Sequence, residues 1–298
     1  MQSLKRTNQD NMQKNILLTV LIICGLAICI FAFWKETGDS KETLNLMDEQ
    51  QNFDMYEITK LDLRTEYEKP VVIDLSVADN DGTRIEEAGD YILRGQTEST
   101  VTIDAQEQPV HLILEGVDIR SAGGPAINVV SAGKVIITLA ENTENVIRDS
   151  GNDKKYEECN AAIYSAGDIT INGNGSLFVY GYYKDAIHTK DLLKIIGGDI
   201  YIQAKRNGLR GNDGMIIKPN LLTVESEKTG LQTTNANQAG KGRIDICGGD
   251  ISITAGEYGM VSVADVHVRE CKISCLSVMT PIKAEGEQFV EEGCFLDE

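Results

Sequence analysis

The hexapeptide Tyr183-Lys184-Asp185-Ala186-Ile187-His188 returns as Lys205-Arg206-Asn207-Gly208-Leu209-Arg210. It returns again as Glu227-Lys228-Thr229-Gly230-Leu231-Gln232 and as Gly256-Glu257-Tyr258-Gly259-Met260-Val261. Its apolar marks, Ile187, Leu209, Leu231, Met260 and Ile282, stand 22, 22, 29 and 22 residues apart. Two further registers keep the count. Ile195, Ile217, Ile246 and Val268 are separated by 22, 29 and 22, as are Ile202, Val224, Ile253 and Cys275. One insertion of seven residues between Leu231 and Ile246, in or near the polar run 234–240, explains the longer step in all three. Three registers that share one insertion describe coils stacked on one another.

A period near 22 fits leucine-rich repeats or a parallel β-helix. The recurring residues here are Ile, Val and Gly, with many Thr and no helix-like half. Glycine is abundant at 28 of 298 residues and proline scarce at 5. That composition suits short strands joined by tight turns. The expected fold is therefore all-β, a right-handed parallel β-helix of about 22 residues per coil. No coil buries its own apolar face alone, so stability comes from neighbouring coils.

The chain is long enough for a sizeable core. Its formal charge is −18. Lys5, Arg6 and Lys14 against Asp10 give the first 34 residues a net +2, which leaves the remainder near −20. Such a surface repels nucleic acid and anionic lipid. Of seven cysteines, Cys24 and Cys29 lie in an apolar N-terminal run, and Cys159, Cys247, Cys271, Cys275 and Cys294 lie beyond it. No spacing resembles a zinc site. Cys275 shares the inward register of Ile253 and reads as a small buried hydrophobe. A Cys247–Cys271 pairing stays open.

Residues 1–15 read as a cytoplasmic tail. Residues 16–34 are nineteen uncharged residues, enough to nearly span a bilayer as a single transmembrane anchor. Trp34 and Lys35 suit its interfacial end. The charges flanking this run place the N-terminus inside and the domain outside, at the cell surface. No A-x-A cleavage site follows. Residues 35–55 read as an acidic stalk and 56–298 as the β-helix domain. The irregular stretch 56–95 and the acidic tail from Glu285 are candidates for its terminal caps. The turn Asp79-Asn80-Asp81-Gly82 lacks EF-hand spacing. Residues 140–158 read as a polar side loop.

Three histidines and no G-x-S-x-G, H-E-x-x-H or P-loop leave little for catalysis. Lys184, Lys190, Arg206 and Arg210 fall on adjacent rungs, as a lyase base would need. Ordinary surface charge explains them equally well. For metal, Asp185 and Asp191 flank one predicted loop, and the next rung places Asn207 and Asp213 beneath them. Rungs about 4.8 Å apart allow such oxygens to converge on calcium. A solvated turn is the alternative. For sugar, Tyr180, Tyr182 and Tyr183 cluster just before this loop, and His188 and Arg210 follow on the same and the next rung. Rings stack on sugar faces, and polar groups bond hydroxyls.

Three phrases carry a resemblance: Gly173-Asn174-Gly175-Ser176-Leu177-Phe178-Val179-Tyr180-Gly181, the run Tyr183 to Asp191, and Ile196-Gly197-Gly198-Asp199-Ile200-Tyr201-Ile202. Together they resemble the calcium-containing, carbohydrate-binding parallel β-helix proteins of clostridial surfaces, whose fold is pectate-lyase-like. The likeness extends over roughly residues 80–282. It implies non-catalytic binding of cell-wall polysaccharide, pectic or cellulosic, with calcium held by loop carboxylates. The family repeats an Asp-Gly-Ile phrase on successive rungs. Here the Asp position holds Asp185, then Asn207, Thr229 and Tyr258, so Asp185, Asp191 and Asp213 are the carboxylates the resemblance favours. A calcium-dependent lyase and a structural or adhesion solenoid are the rival functions.

Overall fold

The computed structural model describes residues 56–77, 82–151 and 159–295. The predicted tail, anchor and stalk lie outside them. Among the described residues no helix is long and apolar enough to cross a membrane. The compact unit that carries the strands runs from Ile58 to Glu298.

One coil illustrates the rest. Asp185–Thr189 lies on a first face, Leu192–Ile195 on a second and Asp199–Ala204 on a third. Asn207–Gly211 then returns to the first face, paired in parallel below Asp185–Thr189. The first face is a sheet of nine strands. The other two belong to one sheet of sixteen, joined where the long strand Pro109–Arg120 pairs with Lys134–Leu139 at one end and Glu144–Arg148 at the other. The result is a three-sided parallel solenoid.

The three sequence registers are the hydrogen-bonded registers of the three faces. Ile187, Leu209, Leu231, Met260 and Ile282 pair down the first face. Ile195, Ile217, Ile246 and Val268 pair down the second. Ile202, Val224, Ile253 and Cys275 pair down the third. The inserted residues lie between Thr229–Gln232 and Arg243–Ile246, at the corner between the first and second faces. These ladders form one apolar core along the prism. Each fully buried Leu or Ile in it is worth roughly 1.5–3 kcal/mol relative to exposure.

The glycine of the repeated hexapeptide has a steric cause. A Cβ on Gly230 would sit 2.5 Å from Cγ2 of Ile253 and 2.6 Å from the carbonyl oxygen of Gly259. Gly208 meets Val224 in the same way one coil earlier. The hexapeptide glycines therefore face the third-face ladder at its closest approach.

Two sequence expectations are corrected. Residues 140–158 are not wholly a side loop, because Glu144–Arg148 is a strand of the third face. Its inward residue Asn145 is polar and fully buried, which hid the alternation. The Asn145 Oδ1 accepts from the Gly116 and Val117 N–H groups at 3.0 and 3.1 Å, so the amide is satisfied inside the prism. The second correction concerns Asp185 and Asp191. Asp185 opens the strand Asp185–Thr189 and Asp191 lies just past its end, so a strand and not a loop separates them.

The segment Thr59–Arg64 forms a strap across the outside of the second face. Asp62 is fully buried there, its Oδ1 2.7 Å from Lys134 Nζ and its Oδ2 2.8 Å from Lys194 Nζ. Thr170 Oγ1 donates to Oδ1 at 2.6 Å, and Asn172 Nδ2 donates to the Asp62 and Arg64 carbonyls, each at 2.8 Å. Burial works against the Asp62 charge. The two ammonium groups, the Thr170 hydroxyl and the Thr59 N–H outweigh it and hold the carboxyl far below the usual range. His111 lies buried beside this network, 3.1 Å from Asp90 and 2.7 Å from Thr138. Arg64 closes it with an ion pair to Asp90 at 2.8 Å.

Candidate functional site

Alternation along Ser176–Gly181 sends Leu177 and Val179 into the core and Phe178 and Tyr180 outward on the third face. Parallel register places Tyr201 against Phe178, and the two rings stack 4.8 Å apart at an interplanar angle of 7°. Tyr180 stacks on Tyr182 at 5.8 Å, with the Arg148 guanidinium 5.5 Å from the Tyr180 ring centre. Tyr182 is 43% exposed. Below Tyr180 the outward ladder continues through Gln203, Glu225 and Thr254.

Beside these rings, at the corner leading to the first face, lies an open cleft of about 640 Å³. Tyr182, Gln203, Lys205, Glu225, Glu227 and Thr254 line it. All six side chains are exposed. The surface joins a ring to an amide, a hydroxyl, two carboxylates and one ammonium. Flat apolar rings and short polar groups at rung spacing suit a polyhydroxylated ligand, which offers alternating C–H faces and hydroxyl edges.

The five sugar-binding candidates from sequence divide between two surfaces. Tyr180 and Tyr182 belong to the patch and cleft of the third face. Tyr183 sits on the corner, where its N–H donates to Asp149 at 3.1 Å and its ring packs 4.7 Å from Lys184 Nζ. His188 and Arg210 are register partners on the first face. His188 is buried against Tyr164, edge to face at 5.4 Å. Its Nδ1 lies 2.7 Å from Asn160 Oδ1 and its Nε2 3.3 Å from Asn212 Oδ1. Burial, aided by the Arg210 charge, pushes its pKa down to about 4, so the imidazole is neutral. Arg210 donates from Nε to Asn212 Oδ1 at 3.0 Å. Sequence reasoning missed Gln203, Lys205, Glu225 and Glu227. The 22-residue count carried from Tyr183 would have found two of them, Lys205 and Glu227.

The four metal candidates do not make one calcium site. Asp185 and Asn207 stand at one end of their strands, and Asp191 and Asp213 beyond the other. Asp185 is fully buried and bound by Arg206 through Nε at 2.7 Å and Nη2 at 2.6 Å. It also accepts the Asn207 N–H at 3.1 Å, so a guanidinium fills the place of a cation. Asn207 donates its amide to Gln232. Asp213 is paired with Lys241, delivered by the insertion, and accepts from Asn235 Nδ2 at 2.6 Å. Asp191 lies between Asp168 and Asp213, and burial together with those two charges raises its pKa. Among the described residues no group of three or more His, Cys, Asp or Glu is placed to hold a metal.

The comparisons with known proteins agree with this architecture. Over residues 79–291 the chain matches a family described as carbohydrate-binding domain-containing protein. A protein of that description from Acetivibrio thermocellus is 34% identical over 226 residues, covering 74% of this chain and 79% of the relative. A solved structure, described as a polysaccharide lyase-like protein from C. thermocellum in a gadolinium derivative, superimposes with a TM-score of 0.72. It is 30% identical, over 76% of this chain and 98% of that one. The solenoid, its aromatic cleft and a match over well over half the sequence lead to one assignment: the chain belongs to the carbohydrate-binding domain-containing protein family.

Proposed function

We propose that this chain is a non-catalytic binding module for a neutral cell-wall glycan of the cellulosic type, held along the third face of a right-handed solenoid. The observation that carries the reading is the open cleft beside the Tyr180–Tyr182 stack. Charge selects against a pectic ligand. The cleft sets Glu225 and Glu227 against Lys205, on a chain of net charge −18, so a polyuronate meets repulsion where a neutral glucan does not. Residues 16–34 serve as the membrane anchor on this reading, with the domain outside. Nothing in it requires calcium, because Arg206 and Lys241 already neutralise Asp185 and Asp213.

The test is calorimetric titration of the full chain, in mild detergent, with cello-oligosaccharides and oligogalacturonates. Saturable binding of the neutral series is expected without released product. Tyr182→Ala should weaken it by about tenfold, the scale of one lost stacking contact. Unsaturated or shortened products would instead support a lyase or hydrolase. Absence of heat with either series would leave the solenoid as a structural or adhesion element.

A further inference from the structure

The C-terminal end of the solenoid gathers thiols. Cys271 opens the strand Cys271–Ser277, which is the last strand of the third face and has an open edge. Among the described residues, the tail reaches that edge at Cys294 and Phe295. Ile273 N–H donates to the Cys294 carbonyl at 2.8 Å, and Ile273 forms a parallel bridge with Phe295. Cys271 and Cys294 are both buried members of the apolar core, 9% and 3% exposed. Burial above all, then the neighbouring Cys294, Glu291 and Cys247, push the Cys271 thiol up to about 12. Cys247 lies at the preceding corner, half-buried, and is the competing partner.

We infer that Cys271 and Cys294 form a disulfide that locks the C-terminal tail over the last coil. The two cysteines are free thiols in the structure described. The bond forms by exchange with an external low-molecular-weight disulfide. One cysteine thiolate attacks it and expels a thiol, giving a mixed disulfide. The second cysteine then attacks the mixed disulfide and expels the second thiol. Two protein thiols are oxidised, one external disulfide is reduced to two thiols, and both protons end on those products. Once closed, the bond lies in the core, away from reductant. A locked tail keeps the edge strand covered, and an uncovered edge is a template for association. This inference does not depend on which glycan is bound.

The experiment equilibrates the full chain, purified reduced, with oxidised glutathione, then alkylates it under denaturing conditions and maps tryptic peptides. Arg269, Lys272 and Lys283 separate Cys247, Cys271, Cys275 and Cys294, so each pairing gives its own peptide pair. A Cys271–Cys294 cross-link is expected as the main product. It should persist in Cys247→Ser and vanish in Cys294→Ser. Reduction should lower the Tm of the oxidised protein by several degrees and speed cleavage at Lys283, with neither change in Cys294→Ser. Alkylation of both Cys271 and Cys294 after oxidation, or a dominant Cys247–Cys271 pair, would overturn the inference.

Discussion

The glycine at Gly230 and the imidazole at His188 answer the same question, what a side chain meets when coils stack. Gly230→Ala places a methyl against Ile253 and the Gly259 carbonyl, in a core with no slack. It should destabilise the domain by about 1–3 kcal/mol in chemical denaturation. An unchanged midpoint would show that the third face yields. His188 is held neutral by burial, with its pKa near 4 against an ordinary 6.5. The unfolded chain therefore binds the proton first. Stability from this group is complete above about pH 6.5 and declines as pH falls toward 4, by roughly 3 kcal/mol in all. Tm curves between pH 7.5 and 4.5 for the native chain and His188→Gln should diverge on the acid side. Parallel curves would mean the imidazole is free to charge.

At the scale of elements, the strap Thr59–Arg64 depends on one buried carboxylate between two ammonium groups. Asp62→Asn leaves Lys134 and Lys194 without their counter-ion and should cost about 3–5 kcal/mol, or release the strap altogether. Hydrogen exchange over residues 58–70 separates those outcomes, and unaltered protection would refute the clamp. The Asp62 carboxyl is held below its ordinary range. Its contribution is present above that range, survives at pH 4, and is lost only as stronger acid protonates the folded form. The insertion is a second such element. It delivers Lys241 to Asp213 beside the Asp168–Asp191 pair, so a chain cation answers a column of carboxylates.

For the whole molecule, a charge of −18 sets the balance. Self-repulsion destabilises a compact polyanion, and salt screens it over about 8 Å at physiological ionic strength. The Tm should therefore rise by a few degrees between 10 and about 150 mM sodium chloride. A flat or falling curve would mean that the local ion pairs outweigh the net repulsion. The same charge makes a neutral glycan the better ligand for an extended face, since no counter-charge must be supplied along its length.

What the sequence determined by itself was the coil. Stacking forces like residues above like, so the 22-residue count and its shared insertion appear directly as the three paired ladders of Ile187, Ile195 and Ile202. A ladder is a one-dimensional property, and a period records it. The site is not periodic in that sense. Tyr180 and His188 are eight residues apart in the chain, yet a corner between faces sets them on different surfaces. Asp185 reads as a metal ligand until Arg206, one coil on, closes on both of its oxygens. Asp62 looks like any acidic linker residue until Lys134 and Lys194, 72 and 132 residues away, meet it under the strap. Which charge meets which is fixed by contacts across coils and faces, and only the tertiary structure decided those.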